Sequence, residues 1–133
     1  MLIIAGASGW KNEGIFKAIE NTAGVKYIGY VADEDKTVLY KNASLFMFPS
    51  LYEGFGLPVL EALACGTAVI TSDRSSLSEI FGDYATLVNP NNISEISKAM
   101  KAVLNNKTVF TPINLEKFDW EKTAHNFLEI LIK

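Results

Sequence analysis

The sequence predicts an α/β fold, a doubly wound parallel sheet of about five strands with helices on both faces. Two observations support this prediction. Short apolar runs alternate with helical patterns along the whole chain, as in successive βαβ units. The runs are rich in β-branched or aromatic residues and apolar on both faces, which is typical of strands covered on both sides. The chain has 133 residues and no long linker, so a single domain over residues 1–133 is expected.

The predicted strands are the apolar runs at residues 2–6, 25–30, 45–48, 68–71 and 85–88. Helical periodicity predicts helices at residues 12–21, 33–42, 58–65, 75–81, 94–105 and 120–132. Pro58 suits the first turn of the third helix because its φ is already helical and its missing N–H would be unpaired there. Gly66 is expected to close that helix, and Ser94 to cap the start of the fifth. Residues 106–114 read as an extended connection.

The composition is that of an ordinary soluble globular protein, with 49% hydrophobic residues, 20% charged residues and a net charge of −3. The basic residues are scattered, which argues against a nucleic-acid partner. The single Cys65 cannot form an internal disulfide and fits a reducing compartment. The first apolar run lacks a basic flank and is too short for a signal peptide or a membrane span. A cytoplasmic protein is therefore expected.

Residues 49–62 carry the strongest functional signal. A predicted strand is followed by Glu53, by the turn Gly54-Phe55-Gly56, and by a predicted helix with Glu61 on its first turn. Glycines allow the backbone to approach a ligand closely, and the free N–H groups at a helix start favour an anion such as a phosphate. Two carboxylates on either side of that phosphate could hold hydroxyl groups. The pattern therefore predicts a site for a sugar nucleotide.

Three informative turns follow predicted strands, at residues 6–9, 29–31 and 50–56. In doubly wound sheets, ligands bind beyond the carboxyl ends of the strands. We therefore expect these turns to contribute to one cleft.

Glu53 and Glu61 are separated by seven residues within the string Tyr-Glu-Gly-Phe-Gly-Leu-Pro-Val-Leu-Glu-Ala-Leu-Ala-Cys-Gly. This string resembles the E-x7-E signature of the retaining group 1 glycosyltransferases (glycosyltransferase family 4). Other segments fall in the family's order and extend the resemblance over nearly the whole chain: 25–31, 33–34, 71–73, 79–80, 87–90 and 118–121. The resemblance implies half of a GT-B fold, namely its carboxyl-terminal Rossmann-like domain, which holds the sugar nucleotide.

The resemblance also implies roles for individual residues. Glu61 should bind the ribose hydroxyls of the donor, and Glu53 should lie beside the transferred sugar as the candidate catalytic residue. Backbone groups of Tyr30 and Val31 should meet the base. Four consecutive backbone N–H groups should contact the sugar and the diphosphate: those of Gly54, Phe55, Gly56 and Leu57.

The implied reaction moves a sugar from a UDP- or GDP-linked donor to a hydroxyl acceptor with retention of configuration. The family implies polysaccharide or glycolipid biosynthesis, no bound metal and no cofactor, and a location in the cytoplasm, peripheral to the membrane where the acceptor is a lipid. The acceptor glycan or lipid would be bound by an amino-terminal domain that this sequence lacks. Activity of the 133 residues alone is therefore not expected, and the chain reads as a fragment or as one product of a split gene.

The family's domain begins with one further strand, whose loop and helix supply an Arg and a Lys that have no counterpart here. That strand lies mid-sheet, between the counterparts of residues 2–6 and 45–48. Without it, these two strands must pair directly, leave a gap or borrow a strand. We hypothesise direct pairing, with the strand order 2-1-3-4-5. Exposed apolar surface on the incomplete sheet and the last helix would then favour a homodimer.

Other interpretations of the same residues remain open at this point. Without the glycine turn, Glu53 and Glu61 would be interpreted as a loop surface charge and a charge stabilised by the helix dipole, whereas the turn favours ligand binding. As a glycosidase pair they would need facing carboxyl groups about 5 to 9 Å apart. A non-catalytic module that binds a nucleotide or a partner chain is the alternative function. His125 and Cys65 read as surface or packing residues.

Overall fold

The computed structural model describes residues 1–10, 12–105 and 111–132. The chain divides into two compact units, Met1–Leu39 and Tyr40–Lys133. The boundary falls within a helix, α2 (Asp33–Asn42).

The first unit contains β1 (Leu2–Ala5), α1 (Glu13–Glu20) and β2 (Val25–Gly29). The two strands are parallel and pair Leu2 with Val25, with an irregularity in register between Ile4 and Ala5. Neither strand contains a fully buried residue, and neither does α1. This unit therefore rests on a two-stranded ladder with little enclosed apolar surface.

The second unit contains a three-stranded parallel sheet in the order β3-β4-β5, surrounded by helices. Its elements follow one another along the chain: β3 (Phe46–Phe48), α3 (Leu57–Ala64), β4 (Val69–Ser72), α4 (Ser75–Phe81), β5 (Thr86–Val88), α5 (Ile93–Leu104), a 3-10 helix (Leu115–Phe118) and α6 (Trp120–Leu131). Register pairs Phe46 with Val69 and Ile70 with Thr86.

The core of the second unit lies on both faces of its sheet. All four residues of β4 are buried, and successive side chains of a strand point to opposite faces. Val69 packs in a cluster with residues of α3 and α4, whereas Ile70 packs with Val88 and with Val103 of α5. Helices therefore cover both sides of the central strand, which explains its continuous apolar pattern.

The predicted α/β class with parallel strands is confirmed, but the predicted pairing of residues 2–6 with 45–48 is wrong. No ladder joins β1 to β3 within the described ranges, and the strands form two sheets, β1-β2 and β3-β4-β5. Strands pair through backbone N–H and C=O groups that every sequence shares. An apolar pattern therefore identifies a strand without identifying its neighbour. Each ladder here joins two strands that are consecutive in the chain and separated by a single helix.

Helix and strand bounds differ from the predictions by at most one residue at either end. The third helix begins at Leu57, with Pro58 in its first turn as predicted. Gly66 closes it at φ +76°, with the N–H of Gly66 bonded to Leu63 O and the N–H of Thr67 bonded to Ala62 O.

The predicted cap of the fifth helix is wrong. The N-cap is Asn92, whose Oδ1 accepts a bond of 3.1 Å from the N–H of Glu95, and Ser94 lies inside the helix. Both residues are suitable capping types, and only the position of the first helical turn distinguishes them. Of the predicted extended connection, residues 106–110 lie outside the described residues, and residues 111–114 form neither helix nor strand.

Candidate functional site

The start of α3 leaves backbone N–H groups available for a ligand. Gly56 is the N-cap at φ +96°, and its carbonyl accepts from the N–H groups of Val59 and Leu60. No side chain in the described part of the chain caps this end. The first N–H groups of a helix and its dipole favour an anion at such a position.

The two glycines of the turn meet different surroundings. A Cβ on Gly56 would lie 2.5 Å from Leu77 Cδ2 and 3.2 Å from Phe81 Cε2, so this glycine allows the turn to pack directly on α4. A Cβ on Gly54 would meet nothing within 4 Å. Of the two residues expected to face a ligand, Gly54 therefore borders open space, whereas Gly56 is required by packing and by its positive φ.

The ring of Phe55 anchors the turn. It packs edge-on against Phe81 and Phe118, with ring centroids 6.1 and 6.0 Å apart. Phe81 is fully buried in the core of the second unit. With its side chain committed to this cluster, Phe55 can offer a ligand only its backbone and an exposed part of its ring.

The backbone of Glu53 is clamped by the first turn of α4. Its N–H donates to Ser75 Oγ at 3.2 Å, and its carbonyl accepts from Ser76 Oγ at 2.8 Å. Ser75 has φ +52°, which costs an L-residue about 1 to 2 kcal/mol. The sequence interpretation missed both serines, whose only signal was their place just after a strand end.

Glu61 lies one turn into α3, where its side chain is half-buried. Its Oε2 accepts a hydrogen bond of 3.0 Å from the hydroxyl of Tyr40. Burial, and after it the bond to Glu61, raises the pKa of Tyr40 well above the ordinary 10.0, so the phenol remains a neutral donor. Tyr40 is also a residue that the sequence interpretation missed, since nothing in the spacing of residues 40 and 61 links them.

Tyr30 and Val31, the residues expected to meet the base, belong to the first unit. They line an open cavity of about 500 Å³ at the carboxyl end of β2. The rest of the lining is mainly apolar: Ile28, Ala32, Asp35, Val38 and Leu39. Glu53, residues 54–57 and Glu61 thus all belong to the second unit, whereas the two base-contacting candidates line a cavity of the first.

Two further properties concern only the described ranges. No three His, Cys, Asp or Glu side chains cluster there in a way that could hold a metal ion. No helix there is both long and apolar enough to cross a bilayer.

Comparison with known families identifies the chain. The sequence model of the family described as glycosyl transferases group 1 matches residues 1–126. The chain belongs to the group 1 glycosyltransferases. The family that the string around the glycine turn suggested is therefore confirmed.

Curated relatives of this group 1 glycosyltransferase chain include several mannosyltransferases. O-antigen chain mannosyltransferase B of Escherichia coli is 42% identical over 99 residues, which are 72% of this chain and 26% of that protein. Serotype-specific mannosyltransferase WbdA of Escherichia coli is 37% identical over 109 residues, 77% of this chain and 13% of that protein. The chain therefore spans about a quarter or less of the length of these relatives.

A solved structure shares the fold. Sucrose-phosphate synthase from Thermosynechococcus elongatus superposes with a TM-score of 0.69 at 29% sequence identity, covering 79% of this chain and 29% of that one. The α/β architecture is therefore shared with part of that structure.

Proposed function

We propose that this chain binds a nucleoside diphosphate sugar and forms the donor side of a glycosyltransferase that moves the sugar to a hydroxyl acceptor with retention of configuration. The observation that carries the proposal is the start of α3: no described side chain caps it, and an acidic residue lies on each side of it in the sequence. Glu53 precedes it with both backbone groups bonded, and Glu61 follows one turn later. Family membership supports the same assignment.

In this proposal, the diphosphate lies in front of α3. Charge develops on the leaving diphosphate as the glycosidic bond breaks, and fixed N–H donors stabilise that charge without having to reorganise. The donors are the backbone N–H groups of Gly54, Phe55, Gly56 and Leu57. Packing holds this turn in place, because Gly56 contacts α4 and the Phe55 ring joins the aromatic cluster.

The two acids supply further proposed donor contacts. Glu61 binds the ribose hydroxyls, whereas Glu53 orients the transferred sugar and supports its developing positive charge. Backbone contacts of Tyr30 and Val31 with the base stay a prediction from the resemblance, and both residues line the cavity after β2 in the first unit.

The names of the relatives narrow the proposed substrate. Because O-antigen and other mannosyltransferases are among them, we propose a mannosyl group as the transferred sugar and a polysaccharide or glycolipid as the acceptor. A UDP- or GDP-linked donor, acceptor binding by a facing amino-terminal domain, a cytoplasmic location and homodimer formation all stay predictions. Independence from metals and cofactors is likewise a prediction.

Titration of the chain with UDP and with GDP tests the proposal. Glu61→Ala should weaken binding about 10- to 100-fold, because a hydrogen bond to a charged group contributes about 1.5 to 3 kcal/mol. Glu79→Ala, on the exposed face of α4, is the matched control and should bind like the original chain. Unchanged affinity in Glu61→Ala, with a native circular dichroism spectrum, would remove Glu61 from the donor site. Repeating the titration with EDTA and with Mg²⁺ tests the metal prediction.

A non-catalytic binding module is the alternative. The relatives do not favour it, since they include several proteins named as mannosyltransferases. Incubation with a sugar donor and simple acceptors distinguishes the two. Release of nucleotide above background favours an enzyme, whereas a bound donor that stays intact favours the binding module.

A further inference from the structure

We propose that Tyr40 is a positioning residue of the donor site, whose hydroxyl holds one oxygen of Glu61 so that the other is presented to the ribose. The inference rests on the proposed function, because it gives Glu61 the ribose as its ligand. It adds a residue that lies outside the E-x7-E string and 21 positions before Glu61.

Tyr40 is itself held at three points. Its hydroxyl is 3.0 Å from Glu61 Oε2. Its ring packs edge-on against Phe46 of β3, with centroids 5.1 Å apart and an interplanar angle of 88°. Its carbonyl accepts a bond of 2.6 Å from Oγ1 of the buried Thr67, which stands between α3 and β4. The hydroxyl therefore has a fixed position relative to the sheet from which α3 emerges.

The bond leaves Glu61 with one committed oxygen and one available oxygen. Within the described residues, Oε2 accepts from Tyr40, and Oε1 has no hydrogen bond or ion pair. A carboxylate offers about four lone-pair sites, so a single bond leaves several for hydroxyl donors. Two neighbouring ribose hydroxyls are donors of this kind, and they need an acceptor whose position is already set.

In the hydrogen bond between Tyr40 and Glu61, the tyrosine is always the donor and the carboxylate always the acceptor. Burial and the neighbouring Glu61 raise the pKa of Tyr40, so its phenol stays protonated at working pH and always donates. Glu61 therefore stays the acceptor of the pair and remains able to accept from the ribose hydroxyls. A glutamate side chain loses rotational freedom when it binds a ligand, and a bond already made in the free protein reduces that loss.

Substitution Tyr40→Phe removes the hydroxyl and keeps the ring on Phe46. We expect the affinity for GDP or UDP, whichever the chain binds more tightly, to fall about 3- to 10-fold. The 2′,3′-dideoxy form of the same nucleotide lacks both ribose hydroxyls and should bind more weakly. Tyr40→Phe should change its affinity less than twofold. If the Tyr40 bond were purely structural, its loss would affect the two nucleotides equally. In the Glu61→Ala background, Tyr40→Phe should have no further effect, because the hydroxyl acts through Glu61.

Tyr84→Phe is the matched control, since Tyr84 lies in the same unit and its hydroxyl accepts a bond of 3.2 Å from Lys117 Nζ. It should bind both nucleotides like the original chain. Circular dichroism and thermal unfolding of every variant test whether the fold is retained.

Each outcome bears on the inference. Unchanged GDP or UDP affinity in Tyr40→Phe, an equal loss for the dideoxy nucleotide, or a variant that does not fold would overturn the positioning role while the proposed function stands. Failure of the original chain to bind either nucleotide would overturn the proposed function, and the positioning role with it. The positioning role would be established if Tyr40→Phe weakened binding of the ribonucleotide but not of its dideoxy form, and if it had no effect when Glu61→Ala was also present.

Discussion

At the scale of single residues, the two glycines of the turn have different roles: Gly56 is required by packing, and Gly54 keeps the turn open. Substitution of each glycine separates the two roles. Gly56 lies against Leu77 and Phe81 at φ +96°, whereas Gly54 faces open space. The ring of Phe55 between them is packed in the aromatic cluster. The turn is therefore rigid on its inner side and open on the side that the proposed diphosphate would occupy.

Gly56→Ala should lower the free energy of unfolding by about 2 to 4 kcal/mol, since it combines a left-handed non-glycine residue with a clash against Leu77. Urea denaturation of the purified chain measures this loss. Gly54→Ala is the matched control and should change stability by less than about 1 kcal/mol. Equal losses in the two variants would contradict the packing role assigned to Gly56.

At the scale of secondary-structure elements, the ends of the helices carry specific information. The end of α3 was predictable because helices commonly end at a residue in the left-handed conformation, which glycine adopts without a steric penalty. The start of α5 was not, since Asn92 and Ser94 are both good caps and lie two residues apart. The structure selects Asn92 because its Oδ1 reaches the N–H of Glu95.

Asn92→Ala should cost about 1 kcal/mol of stability because it removes that bond from the helix end. Ser94→Ala, at an exposed position inside the same helix, should cost less than about 0.5 kcal/mol. Thermal or urea unfolding compares the two variants directly. A larger loss of stability in Ser94→Ala than in Asn92→Ala would identify Ser94 as the N-cap instead of Asn92.

At the scale of the whole molecule, apolar burial is unevenly distributed. Within the described ranges, all nine buried hydrophobic residues belong to the second unit. In the first unit, Leu2 and Ile3 of β1 are 42% and 43% exposed. A two-stranded ladder with one open face has little stability of its own.

Hydrogen exchange should therefore separate the two units. We expect the amides of β4 to exchange only through global unfolding, and those of β1 and β2 to exchange through more frequent local opening. Exchange followed by mass spectrometry on the native chain measures both. Equal protection of β1 and β4 would show that the chain opens as one cooperative body.

Local patterns were sufficient for the α/β class, for the order of strands and helices, and for the glycine turn between Glu53 and Glu61. Periodicity, glycine and proline act over a few neighbouring residues, so the sequence states them directly. The same local string also suggested the family, and the match of the family model over residues 1–126 confirms that family.

Contacts between residues far apart in the chain needed the folded structure. The separation of the strands into two sheets depends on backbone pairing, which side-chain patterns do not specify. The contact of Gly56 with Leu77, the serine clamp on Glu53 and the bond from Tyr40 to Glu61 each join residues more than 20 positions apart. Such pairs form only where packing brings two elements together, and no spacing rule within one element predicts them.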